Sequence, residues 1–161
     1  MAEVRLEASV SLDGGARVQS RTASGHEVVA DVLPPTGGDS AARPTELVLA
    51  ALASCTAVDV VSILGKKRQA PARYGVAITA QKADETPSVF LHIVVEHQVE
   101  GEIEAEAVRR AVELSAMKYC PVSRMLSKAL EIEHRYRLSR AGGEVASALV
   151  AVTGPEGDRV I

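Results

Sequence analysis

Two residues in this chain carry nucleophilic chemistry, Cys55 and Cys120, and the residues around each suggest more than packing. Pro121 follows Cys120 directly. A proline is well suited to the first turn of a helix, so Cys120 is the expected N-cap of a helix starting there. Its sulfur would face unpaired backbone N–H groups and the positive end of the helix dipole, where a thiol ionises more easily. Cys55 lies within a long apolar run, where burial raises a thiol's pKa unless a cation or hydrogen-bond donors stand nearby. Ser54, Thr56 and Asp59 supply polar groups around it, where a helix used only for packing would place Leu or Val. A small buried packing role is the alternative for each cysteine. If both react, two thiols suffice for a redox pair in which one is oxidised and the other closes a disulfide.

The four histidines do not form a comparable constellation. His92 and His97 are five apart on one expected strand and therefore face opposite sides of it. Only His97 with His134 could meet across strands. No C-x-x-C or H-x-x-x-H spacing occurs, so no metal site is expected, and a Cys-His hydrolase lacks a paired motif.

The elements that must position the two thiols follow from hydropathy patterning. Val4, Leu6, Ala8, Val10 and Leu12 alternate with polar residues, the period of a strand with one wet face. Asp13-Gly14-Gly15 predicts a tight turn with Ala16 to Thr22 returning as the hairpin partner, and a third strand is expected over Val28 to Leu33. Pro34 to Arg43 is full of Pro, Gly and Ser and reads as a loop. A helix is expected from Pro44 to about Lys67, with Glu46 near its positive end, Lys66 and Lys67 near its negative end, and Cys55 in its middle. Because it is apolar nearly all round, it should lie at the centre of the molecule. Tyr74 to Lys82 and Val89 to Val99 read as an antiparallel hairpin, Ile103 to Lys118 as an amphipathic helix, Cys120 to about Ala129 as a short helix and Glu131 to Leu138 as a final strand. These elements make one expected domain over 1–138. Residues 139–161 are left open between a flexible extension and an added edge strand.

Composition narrows the classes of function. The chain has 161 residues, 47% of them hydrophobic and 24% charged, which suits one folded domain. One Phe, three Tyr and no Trp leave little for base stacking, and a net charge of -3 offers no positive field for phosphates, so no nucleic-acid partner is expected. The apolar run from Leu47 to Leu64 is interrupted by Ser54, Thr56, Asp59 and Ser62, so it reads as a buried helix and not a membrane span. The N-terminal residues lack the pattern of a secretory signal, and two cysteines are too few for a disulfide scaffold, so a cytoplasmic location with only a transient disulfide is expected.

Pro44-Thr45-Glu46-Leu47, then Leu52-Ala53-Ser54-Cys55-Thr56-Ala57, and later Tyr119-Cys120-Pro121-Val122-Ser123 resemble the two cysteine motifs of the osmotically inducible protein C and organic hydroperoxide resistance family. With Ser24-Gly25-His26 and the run Val58 to Leu64, the likeness is strongest to its YhfA-like branch. The resemblance implies an α+β, OsmC-like fold, with antiparallel sheets wrapped around long central helices in an interlocked homodimer. It also implies a thiol-dependent peroxidase acting on organic hydroperoxides or hydrogen peroxide in oxidative stress defence. Cys55 would attack the peroxide as a thiolate and become a sulfenic acid. Cys120 would resolve it to a disulfide, reduced by an external dithiol of lipoyl or thioredoxin type. No cofactor, metal or flavin is implied.

The sequence departs from the peroxidase pattern in two places. The family's helical glutamate directly follows the proline, whereas Thr45 stands there and Glu46 comes next. Nine residues on an ideal helix turn through about 180° net, so Glu46 would point away from Cys55, which leaves its role as orienter of the thiol open against support of the helix dipole. The family also places an arginine from an N-terminal hairpin over the reactive thiol. Arg17 is the candidate by position and Arg43 the second, each with a solvated surface charge as its alternative. These departures leave a second function open, a redox-sensing or small-ligand-binding protein of the same fold without efficient turnover.

Overall fold

A computed structural model describes residues 3–11 and 15–161, which form two compact units, 1–50 and 51–161. In the first, β1 (Leu6–Ser11), β2 (Arg17–Thr22) and β3 (Glu27–Ala30) make an antiparallel sheet in that order. Residues Asp13 and Gly14 of the expected turn lie outside those described. Gly15 has φ +128, and a Cβ there would come within 2.7 Å of the Gly37 backbone, so only glycine allows that approach. β1 is exposed along its whole length, and Leu6 and Val10 lack the cover that the expected one-wet-face strand implies.

The loop after β3 is organised by Asp31. Its carboxylate accepts from Val32 N (2.7 Å), Ser40 N (2.9 Å), Ser40 Oγ (2.7 Å) and Gly38 N (3.3 Å). These donors, the Ser40 hydroxyl foremost, hold Asp31 down to about 2. The loop delivers the chain to α1 (Pro44–Lys66), which begins at the proline as expected. Glu46 reaches back to accept from Arg43 N (2.9 Å), which is half of a capping box.

The second unit is built on a five-stranded sheet, β4 (Arg73–Lys82), β5 (Phe90–Glu100), β6 (Glu131–Ser139), β7 (Val145–Thr153) and β8 (Arg159–Val160), in that spatial order. β4 and β5 form the expected hairpin, and β5 and β6 run parallel. The crossover between them carries α2 (Ala105–Leu114), a π-helical turn (Ser115–Tyr119) and α3 (Pro121–Leu126). The expected helix over 103–118 is thus interrupted, and the π-turn sits directly before Cys120. Residues after Ser139, left open by the sequence, form β7 and β8 and contribute Val150 and Ala151 to the core.

The alternation along β5 turns Ile93, Val95, His97 and Val99 inward, where they are buried. On this side Val60 and Leu64 of α1, Val108, Ala111 and Val112 of α2, Ala116 and Leu138 make one cluster. Each large aliphatic side chain so buried stabilises the fold by about 1.5–3 kcal/mol. The buried residues of α1 are Leu52, Thr56, Val60 and Leu64, a stripe spaced by four. Val58 (70% exposed) and Val61 (42%) face outward. In the single chain α1 therefore lies over one face of the sheet and is not enclosed as its composition suggested, because one sheet covers only one side of a helix.

Candidate active site

The four-residue stripe that buries α1 also fixes its chemistry. Thr56 occupies a core position between Leu52 and Val60, and the neighbouring positions put Cys55 and Asp59 one turn apart on the same side, both half-buried. Cys120 reaches them from the crossover. It is the N-cap of α3, and its Sγ accepts from Ser123 N at 3.4 Å. The sulfurs of Cys55 and Cys120 and a carboxylate oxygen of Asp59 all lie within 4.8 Å of one another.

Cys120 is fully buried. Burial pushes its thiol up to about 12, with the adjacent Cys55 acting in the same direction and the N–H groups of Ser123 and Val122 opposing. The expectation that the N-cap position makes this thiol ionise easily is therefore reversed, since desolvation outweighs two amide donors.

Asp59 is held by a chain of polar groups through the interior. The Ser115 hydroxyl donates to Asp59 Oδ2 at 3.1 Å. Thr56 Oγ1 lies 2.9 Å from Ser115 Oγ and 3.4 Å from His97 Nε2, and the Tyr74 hydroxyl meets His97 Nδ1. Proton counting orients the chain. With the Ser115 proton committed to Asp59, Thr56 donates to Ser115, His97 donates through Nε2, and Tyr74 donates to Nδ1. This order requires a neutral His97 and a protonated Tyr74. Burial holds His97 down to about 3, with His134 adding to the effect, and burial followed by the Asp59 charge raises Tyr74.

His134 supports the other side. Its Nε2 lies 3.4 Å from Ser123 Oγ, in the first turn of α3, and 3.3 Å from Thr153 Oγ1. Burial lowers it to about 4 against the pull of Asp158. The two histidines that could have met across strands thus take different partners. His92 faces the other side of the sheet, with Nε2 3.3 Å from Glu133 and 3.8 Å from Glu131. Those three could offer a metal three donor atoms, but Arg135 and Arg159 already pair with the two carboxylates. The thiol–carboxylate group offers three as well, and there the high pKa of Cys120 opposes the second thiolate that a metal needs.

Of the residues singled out in the sequence, Cys55 and Cys120 are brought together. Arg17, Arg43 and Glu46 belong to the N-terminal unit. Arg17 opens β2, paired with Ser11. Arg43 pairs with Glu46 at 3.2 Å and Asp39 at 3.4 Å. In the sequence Asp59 stands out only as a polar neighbour of Cys55, and no motif there gives a part to Ser115, Tyr74 or the site-facing side of His97. A usable signal was present: Thr56 and Ser115 are hydroxyls at positions the helical periodicity assigns to the core, and buried hydroxyls need partners.

The family model for OsmC-like proteins matches residues 37–135, which include both cysteines. The chain belongs to the OsmC-like family. Protein YhfA of Escherichia coli strain K12 is 41% identical over 137 residues, covering 84% of this chain and all of that one. Among solved structures, a hypothetical protein from Aquifex aeolicus VF5 superposes with a TM-score of 0.75 at 27% identity, over 87% of this chain and 98% of the other. An organic hydroperoxide resistance protein OsmC from Legionella pneumophila shares the fold at 16% identity, with a TM-score of 0.56 over 87% of this chain and 97% of its own. The α+β architecture is thus that of OsmC-like proteins, a family with members named for hydroperoxide resistance.

Proposed function

We propose that this OsmC-like protein is a thiol-dependent peroxidase that reduces organic hydroperoxides or hydrogen peroxide, with Cys55 peroxidatic and Cys120 resolving. The observation that carries the reading is the approach of the two sulfurs to within 4.8 Å. Their environments divide the labour. Cys120 is fully buried and held protonated, which suits the thiol that acts second, whereas Cys55 is half-buried and so within reach of a small oxidant. The Cys55 thiolate takes the distal oxygen, the alcohol or water leaves, and Cys120 displaces hydroxide from the sulfenic acid as water. An external dithiol of lipoyl or thioredoxin type then reopens the disulfide.

The functional form is an interlocked homodimer in the cytoplasm. Val58 and Val61 on α1, Met125 (65% exposed) and Tyr119 (48%) are apolar surface near both cysteines in sequence, and a second copy would cover it. A stable monomer at micromolar concentration in sedimentation would remove this part.

The test of the peroxidase reading is intact mass and peptide mapping after one equivalent of cumene hydroperoxide or hydrogen peroxide. Turnover is measured alongside with dihydrolipoamide and with thioredoxin. The parent should give a Cys55–Cys120 disulfide. Cys55→Ser should consume no peroxide, and Cys120→Ser should stop after about one equivalent with a sulfenic acid on Cys55. No mass change on either cysteine would sink the reading, and oxidation of Cys120 in Cys55→Ser would reverse the assignment. A redox sensor without efficient turnover is the second reading, favoured by the pairing of Arg43 with Asp39 and Glu46, which engages one of the two candidate cations. It predicts disulfide formation with no sustained consumption under either reductant.

A further inference from the structure

The second thiol poses a problem that the two cysteines do not solve. Cys120 must attack as a thiolate, yet it is fully buried and burial favours its protonated form. Some group must therefore take its proton as the sulfur–sulfur bond forms. The surroundings of Asp59 suit it to this. It stands one helical turn after Cys55, and a carboxylate oxygen lies within 4.8 Å of both sulfurs. Its Oδ2 is occupied by the Ser115 hydroxyl, itself backed by Thr56, His97 and Tyr74. One oxygen is thus anchored, and the carboxylate keeps acceptor capacity for a proton.

We infer that Asp59 is the proton carrier of disulfide closure, accepting the Cys120 proton and returning it to the group that leaves Cys55, with Ser115 as the residue that positions it. This rests on reading the two thiols as an exchanging pair. In closure after peroxide, the S–H bond of Cys120 breaks and its proton moves to the Asp59 carboxylate. The Cys120 sulfur then bonds to the Cys55 sulfur as the S–O bond of the sulfenic acid breaks. The departing hydroxide takes the proton from Asp59 and leaves as water. The sum is thiol plus sulfenic acid giving disulfide and water, with the carboxylate regenerated. The same path serves closure from any mixed disulfide on Cys55, where a thiolate departs in place of hydroxide and the proton on Asp59 passes to it or, for a weakly basic thiolate, to solvent.

That generality supplies a test that needs no peroxide. Rapid mixing with dithionitrobenzoate releases one coloured thionitrobenzoate and leaves the other on Cys55 as a colourless mixed disulfide, in a step that depends on reagent concentration. Cys120 then expels it in a second, first-order step that reports closure alone. Asp59→Asn should slow the second step about 100-fold, the lower range for loss of a positioned general base. Asp59→Glu should recover part of that loss, and Ser115→Ala should slow it about tenfold with recovery in Ser115→Thr. Closure in Asp59→Asn at the parent's rate overturns the inference.

Should Asp59→Asn fail to fold, the pH profile of the parent decides. The titratable groups around Asp59 are Cys55 on α1, Cys120 before α3, Tyr74 on β4 and, in the adjoining cavity of about 340 Å³, Lys66, Lys67 and Tyr119. Between about pH 6 and 8 an unassisted thiol gains about tenfold in rate per pH unit as its thiolate fraction rises, whereas closure through an ionised carboxylate stays nearly level. A tenfold-per-unit slope overturns the inference, and a level profile supports it. If closure behaves as expected but the protein consumes no hydroperoxide, the peroxidase reading fails and the role of Asp59 stands.

Discussion

Asp31 and Asp59 are both carboxylates withdrawn from bulk water, and the protein treats them differently. Asp31 accepts four hydrogen bonds within its own loop, three of them from backbone N–H groups, so both oxygens are satisfied by the segment they shape. Asp59 has one hydroxyl donor from a distant element and an oxygen near two sulfurs. A saturated carboxylate holds backbone in place and has little left to offer a proton. A carboxylate anchored through one oxygen keeps acceptor capacity for chemistry.

The widest separation should come from exchanging each for its amide. Asp59→Asn is expected to slow closure about 100-fold. Asp31→Asn should leave closure unchanged and instead lower the temperature of unfolding, because an amide presents an N–H group to backbone donors. Slow closure in Asp31→Asn, with the fold intact, would erase the distinction.

Acid should separate the two regions by pH. His97 and His134 are neutral in the fold, lowered from 6.5 to about 3 and about 4, so the unfolded chain binds protons first as pH falls. Their contribution to stability is full above about pH 6.5 and is lost as pH drops toward those values, at no more than about 1.4 kcal/mol per pH unit for each histidine. Asp31 is lowered from 3.8 to about 2, so its contribution persists until pH falls below about 4. Unfolding temperature measured against pH should therefore decline first in the range set by the histidines, and His97→Gln should flatten that part of the curve. A curve level down to pH 4 would show that the buried histidines do not govern acid stability.

The smallest effect concerns Glu46, another carboxylate bonded to nearby backbone. Glu46→Ala should cost about 0.5–1 kcal/mol through the lost cap and dipole contact. Alkylation of Cys55 should keep the parent's pH profile. An altered profile would return Glu46 to the thiol site and weaken the division between structural and chemical carboxylates.

Much of this was legible in the sequence because local rules wrote it. Pro44 and Glu46 mark the start of α1, alternation marks β4, β5 and β6, and Pro121 makes Cys120 an N-cap, each through contacts within a few residues. The motifs around the two cysteines were enough to point to the family. What depended on long-range packing was misread or left open. The charge preference of Cys120 reversed because desolvation is set by neighbours distant in sequence. The tail became β7 and β8 because pairing with β6 satisfied a backbone that had no decisive local signal. The polar chain from Tyr74 to Asp59 joins β4, β5, α1 and the π-turn, and no local pattern predicts five hydrogen-bonding groups gathered from four elements. The sequence by itself determined which atoms could react and the helices that carry them; only the tertiary structure decided which thiol is held protonated and which carboxylate stands beside it, because burial and long-range hydrogen bonds exist only after the chain has packed.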